Sequence, residues 1–184
     1  MFFIICIISN FKTQNSKHKL KFKTMSQNIK GYGFGVWLLV EDEELNSIMN
    51  HPTHITIMCN MTEKDAIKLY KNLSEICGKN HIVLCNNLCE RFEDTGYSKD
   101  EPFKYCSGYY CMIEMWNIIS YYCKKRLKYD PTLGSFSIRP HITYSYSNDF
   151  EKTNYLNLKH MKYLKCKLVV ADIRASNPAN WTYT

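Results

Sequence analysis

The chain has no apolar run long enough to cross a bilayer. Its best candidate, Phe2-Phe3-Ile4-Ile5-Cys6-Ile7-Ile8 within Met1 to Ser9, falls far short of the ~20 residues a spanning helix needs. No basic segment precedes that run, and the lysines follow it, the wrong order for a secretory signal. Among the 9 cysteines there is no Cys-x-x-Cys. Neither Cys85 and Cys89 nor Cys106 and Cys111 have zinc-site spacing or a histidine at finger spacing. A His/Cys metal protein is therefore a weak reading, and no metal or cofactor is implied. Scattered thiols suit a reducing compartment, so a cytoplasmic location is expected. Acid is missing from residues 1–30, which hold six lysines: Lys12, Lys17, Lys19, Lys21, Lys23 and Lys30. The formal charge is +7, but taking those six from 24 basic residues leaves 18 against 17 acids. A nearly neutral body implies no extended nucleic-acid groove, and leaves a small nucleotide or short oligonucleotide as the charged partner.

What is there is a chain of 184 residues, 45% hydrophobic, enough for one or two small lobes sharing a core. Met25 reads as an alternative initiator and residues 1–24 as a poorly structured basic leader. The other reading of that leader is a short anchor at a membrane surface. Residues 25–184 then form the domain, expected as a monomer.

From Gly31 to Val40 the alternation predicts a strand. Tyr32, Phe34, Val36, Leu38 and Val40 share one face. Gly33, Gly35, Trp37 and Leu39 share the other, where two glycines beside a tryptophan suggest an open floor with an aromatic wall. An ordinary core tryptophan is the equal alternative. Glu41 to Glu44 begins a short acidic connection. His51-Pro52-Thr53 reads as a decoy, since proline is a poor strand interior. Thr62 and Asp65 predict a capped helix, with Ala66, Leu69, Tyr70, Leu73, Ile76 and Cys77 on its buried face and Gly78 as its stop. His81 to Cys85 predicts a returning strand, with His81 at the surface. Residues 90–102 predict a loop between halves.

The plan then repeats. Tyr105 to Met115 predicts a strand. Met115, Ile118, Ile119, Tyr122 and Leu127 give a helical stripe ending in Lys124, Lys125, Arg126 and Lys128. Asp130 to Gly134 is a turn. After a polar segment to about Lys165, Lys167 to Ala175 predicts a strand, Asn177-Pro178 a turn and Trp181-Thr182-Tyr183 a last strand. The fold class is α+β: two-lobed and pseudo-symmetric, with a cleft between the halves.

One motif occurs once per half. His54-Ile55-Thr56 and His141-Ile142-Thr143 stand 87 residues apart on strand-like segments. Positions i and i+2 of a strand share a face, so each triplet presents an imidazole beside a hydroxyl, with Ile turned into the core. Two such strands together supply an acid, a base and two donors to phosphate oxygens, the needs of metal-free phosphodiester chemistry. The plain alternative is a pair of half-buried histidines bonded to neighbouring threonines.

These paired strands resemble the two-histidine phosphoesterase superfamily, with its LigT-like RNA ligases and cyclic phosphodiesterases. The likeness is nearest to eukaryotic cyclic phosphodiesterases, through Val36-Trp37, the acidic link, His54-Ile55-Thr56, the Thr62-capped helix and Pro140-His141-Ile142-Thr143. Thr53 departs from it, standing where that relative has proline. The resemblance implies a bilobal fold of two antiparallel sheets lining a cleft, with helices outside. It implies His54 and His141 as the acid/base pair, and Thr56 and Thr143 as holders of the non-bridging oxygens. It implies Trp37 beside the nucleotide and Tyr146 as a further substrate contact. Strict alternation puts Tyr146 opposite the His141 face, so that role needs a bulge or a strand end. The expected activity is cleavage of a 2′,3′-cyclic or related cyclic phosphate, or of a 2′-5′ linkage. The rival class is an inactive nucleotide- or RNA-binding module that keeps the cleft.

Overall fold

Strand β1 (Phe34–Val40) alternates as its sequence requires: Val36, Leu38 and Val40 enter the main core, and Trp37 and Leu39 join a smaller apolar group on the other face. A computed structural model describes residues 33–49, 51–93, 105–137, 139–147, 149–174 and 180–184, without the side chains of 93, 106, 135 and 146. The leader expected over residues 1–24 and the turn at Asn177-Pro178 lie outside the described residues.

The acidic link after β1 is a helix, α1 (Glu43–Ile48), rather than a bare connection. The Asp42 carboxylate accepts the Leu45 amide at 2.9 Å, and Leu45 is fully buried. Lys162 bridges Asp42 at 3.3 Å and also Glu44, tying α1 to a distant strand. Strand β2 (His54–Met61) leads to α2 (Glu63–Cys77). The Thr62 hydroxyl accepts the Asp65 amide at 3.1 Å, a cap worth about 1 kcal/mol. Gly78 ends α2 at φ 80°, a value that favours glycine. Ala66, Leu69 and Leu73 are the buried face of α2.

Strand β3 (Asn80–Glu93) is far longer than the expected His81 to Cys85, and takes in the start of the expected loop. It pairs with β4 (Tyr105–Ile113), whose chain continues into α3 (Trp116–Tyr129). Asp130 then caps a 3-10 turn (Pro131–Leu133). β5 (Ser135–Phe136) and β6 (His141–Ser147) follow, then β7 (Lys162–Asp172) and β8 (Thr182–Tyr183). β7 starts five residues earlier than expected, because Lys165 and Lys167 alternate outward while Leu164, Cys166 and Leu168 point inward. Three side chains correct the sequence reading, the first being Ile76, expected on the buried face of α2 and in fact exposed. His81 is buried, with Nε2 3.2 Å from the Gly78 carbonyl, and Ile118 is exposed. Among the described residues Cys77, Cys85, Cys89, Cys111, Cys123 and Cys166 are free, whereas Cys59 is disulfide-bonded, which departs from the expected set of scattered free thiols.

The strands form one curled antiparallel sheet in the order β5-β2-β1-β7-β3-β4-β6, with β8 on β7. Two separate sheets were expected; the β7–β3 pairing joins them. About that joint the halves match: β2-β1-β7 on one side, β6-β4-β3 on the other. α2 packs on β1 and β7, and α3 touches α2 and β5, so the helices share the main core with one face of the sheet. The curl brings β2 and β6 into contact although they lie near opposite ends of the strand order. Among the described residues no helix is long and apolar enough to cross a membrane.

Candidate active site

Each His-Ile-Thr triplet opens its strand, and the two strands are built alike. In β2, Thr56 pairs with Trp37 and Met58 with Val36, so Ile57 is an extra, bulged residue. In β6, Thr143 pairs with Gly108 and Ser145 with Ser107, so Tyr144 is the extra one. In each strand a bulge falls on the residue after the motif threonine, and β2 carries a further irregularity between Met58 and Met61. A bulge bends its strand and re-aims the side chains beside it, which is why bulges gather at active sites. The bulge in β6 lies two residues before Tyr146. Tyr146 pairs with Cys106 along the backbone, and its side chain lies outside the described residues.

The imidazoles repeat as well. His54 Nδ1 lies 2.7 Å from the carbonyl oxygen of Pro52, and His141 Nδ1 lies 2.9 Å from that of Arg139. Each partner is two residues upstream. A carbonyl only accepts, so each Nδ1 carries the proton and donates it, and each neutral ring keeps its lone pair on Nε2. The charge of one ring is felt by the other, since His141 lowers the pKa of His54. Ile55 and Ile142 are fully buried on the core face, while Thr56 and Thr143 are nearly buried beside the histidines.

The surroundings of the rings differ. His54 is 5% exposed and stacks flat on Trp37, with centroids 3.7 Å apart and planes 13° apart. Trp181 stands 6.0 Å from His54 and His51 5.8 Å from it, both edge-on. His141 is half-buried between Phe92 at 5.5 Å and Tyr110 at 6.4 Å, both edge-on. The Arg139 guanidinium lies 4.6 Å from the Tyr110 ring centre. Burial, the largest cause, holds His54 at about 3; the charges of His51 and His141 add to it, and the Pro52 carbonyl opposes them. Burial lowers His141 and His51 too, against the pull of the Arg139 and Pro52 carbonyls. At neutral pH the resting site therefore holds uncharged imidazoles.

Strands β2 and β6 are in contact, and His141 lies near enough to His54 for its charge to lower the His54 pKa. The structure does not leave Trp37 as an open wall. That indole is 1% exposed and lies under His54. Gly35 is no open floor either, for a Cβ there would lie 3.1 Å from Trp37 Nε1 and 2.9 Å from the Met58 carbonyl oxygen. His51, Arg139, Phe92, Tyr110 and Trp181 also surround the site, and sequence reasoning missed them. For His51 a signal existed: it is three residues from His54, and the proline argument against a strand said nothing about where its ring would go. Among the described residues no group of three or more His, Cys, Asp or Glu side chains is placed to hold a metal ion. Comparison with protein-family models, with curated proteins and with solved structures finds no match.

Proposed function

We propose that this chain is a two-histidine phosphodiesterase of bilobal fold, acting without a metal on a nucleotide or short oligonucleotide. The observation that carries the reading is the double repeat at the site. Two His-Ile-Thr strands, each bulged after its threonine, each fix Nδ1 on a carbonyl two residues back. A pair of histidines kept only for packing has no reason to share tautomer, bulge and neighbouring hydroxyl.

In this reading the Nε2 atoms act on the substrate and the hydroxyls of Thr56 and Thr143 hold the non-bridging oxygens. One imidazole takes a proton from water, or from a ribose hydroxyl. The other, protonated, gives one to the departing ribose oxygen. Both rings rest uncharged, so the acid must gain its proton on the way to reaction. A bound phosphodiester carries the negative charge that raises an imidazole pKa, so substrate itself favours charging one ring. Preset hydroxyls stabilise charge on the phosphoryl oxygens without reorganising. Trp37 serves this reading by holding His54 in place rather than by touching the base. Tyr146 is kept in this reading as a further substrate contact.

The test is a panel of 2′,3′-cyclic nucleotides, ADP-ribose cyclic phosphate, 2′-5′ oligoadenylate and cyclic dinucleotides, with products resolved by mass. One of these should turn over, with EDTA present or absent. His54→Ala and His141→Ala should each lower turnover by about 10²–10⁴-fold. The double variant should lose much less than the product of the two. Binding of a nucleotide without turnover of any of the four would favour the inactive module.

A further inference from the structure

Helix α3 buries one side and shows the other to solvent. Ile119 and Cys123 are buried, and the Tyr122 hydroxyl accepts the Asn72 side-chain amide of α2, which fixes the inner side. The outer side carries large side chains: Ile118 is 44% exposed, Tyr121 69% and Tyr129 79%. Lys124, Lys125 and Lys128 are exposed with them. Ile118, Tyr121, Lys125, Lys128 and Tyr129 follow one another at helical three- and four-residue spacings, so they form one stripe. Single exposed apolar residues are ordinary, but three along one stripe with lysines between them make a surface.

The charge is as uneven as the apolar surface. Residues 116–129 hold Lys124, Lys125, Arg126 and Lys128 and no acid. Taking those four from the 18 basic residues after residue 30 leaves 14 against 17 acids, so the rest of the body is net negative. Among the described residues none of the three lysines takes part in an ion pair. A helix C-terminus favours cations, which accounts for Arg126 and Lys128 in the last turn. It gives no account of Ile118, Tyr121 and Tyr129 standing in water beside them.

We propose that this face of α3 rests on an anionic lipid bilayer, a binding activity separate from the phosphodiesterase reading. Tyrosine suits the level of the lipid headgroups, with its ring toward the apolar boundary and its hydroxyl in water. Ile118 enters the same boundary, and the lysines reach the acidic headgroups over their apolar stems. The stripe is the outer side of one helix, so a flat partner meets all of it without a groove. A single-stranded nucleic acid would stack bases on the tyrosines and leave Ile118 in water. Attachment of this kind is peripheral and reversible, its strength set by apolar area and by attraction to anionic lipid.

The experiment is co-sedimentation of the full chain with vesicles of phosphatidylcholine alone and of phosphatidylcholine mixed with phosphatidylserine, with a single-stranded RNA oligonucleotide as a third probe. The chain should bind the mixed vesicles alone, and less tightly as salt is raised. Lys125→Gln with Lys128→Gln should weaken that binding by roughly 25-fold, about 5-fold for each lysine at the surface. Tyr121→Ser with Tyr129→Ser should weaken it by about 5-fold or more, a loss that persists at high salt. All four positions are exposed, so melting should move little in either variant. Equal binding to both vesicle types overturns the inference, and so does binding to neither. Residues 1–30 hold six lysines of their own. Anionic binding untouched by the α3 variants therefore also overturns it, and assigns the contact to those lysines. Capture of the RNA, lost in the lysine variant and without vesicle binding, makes the face a nucleic-acid site instead.

Discussion

A single imidazole decides how the site responds to pH. An ordinary histidine titrates near 6.5 and would give a rate profile centred there. His54 is held at about 3 by burial and His141 is lowered for the same reason. Catalysis needs one ring charged and one neutral. Above both free-protein values, the singly protonated form shrinks about tenfold per pH unit. We therefore expect kcat/KM to fall as pH rises from 6 to 8, approaching that slope; a maximum near 6.5 would contradict the buried environment. Trp37 belongs to the same argument. It forms the floor under His54, so Trp37→Ala should destabilise by about 3–5 kcal/mol and lower kcat through a misplaced ring. Trp37→Phe should restore most of both. Melting and Michaelis curves from one preparation check this. A raised KM with unchanged melting would instead return Trp37 to the nucleotide.

At the scale of elements, the second motif strand depends on a missing side chain. Gly108 of β4 sits opposite Thr143, and a Cβ there would collide with the Ile142 carbonyl oxygen and come within 3.3 Å of Thr143 Cα. The neighbour is backbone, which cannot rotate away. Gly108→Ala should push β6 outward at its bulge, costing about 1–3 kcal/mol and reducing turnover by more than stability alone explains. Circular dichroism melting with single-turnover rates measures both. Much of the element plan was legible in the sequence. Alternation placed β1 with the correct faces, and Thr62, Asp65 and Gly78 placed both ends of α2. Pattern failed where it was thin. α1 spans six residues and buries Leu45 alone, too little to show a period. β3 runs on through Asn86, Asn87, Glu90 and Arg91, whose polarity imitates a loop. The two motif triplets were legible by identity. Their bulges were not, because register is set by the partner strand rather than by the strand's own residues.

For the whole molecule the same buried and half-buried imidazoles set the acid limit of the fold. His51, His54, His81 and His141 all have pKa values below the ordinary 6.5, with burial the first cause in each. The unfolded chain holds these rings in water and binds protons as pH drops through 6.5. The native chain resists until the lower, folded values are reached. In that window the unfolded state holds more protons, so stability rises with pH. The stabilising term is complete above 6.5, and it drains away as pH falls toward about 3, where His54 charges in the fold too. We expect the melting temperature to be flat from pH 8 to 7 and to fall steadily between pH 6.5 and 4.5. His54→Gln removes one titrating ring and should make that fall shallower. A variant that melts in parallel with the parent across this range would show that His54 does not titrate out of a buried, neutral state. The stacked geometry on Trp37 would then have to be given up along with the proton inventory built on it.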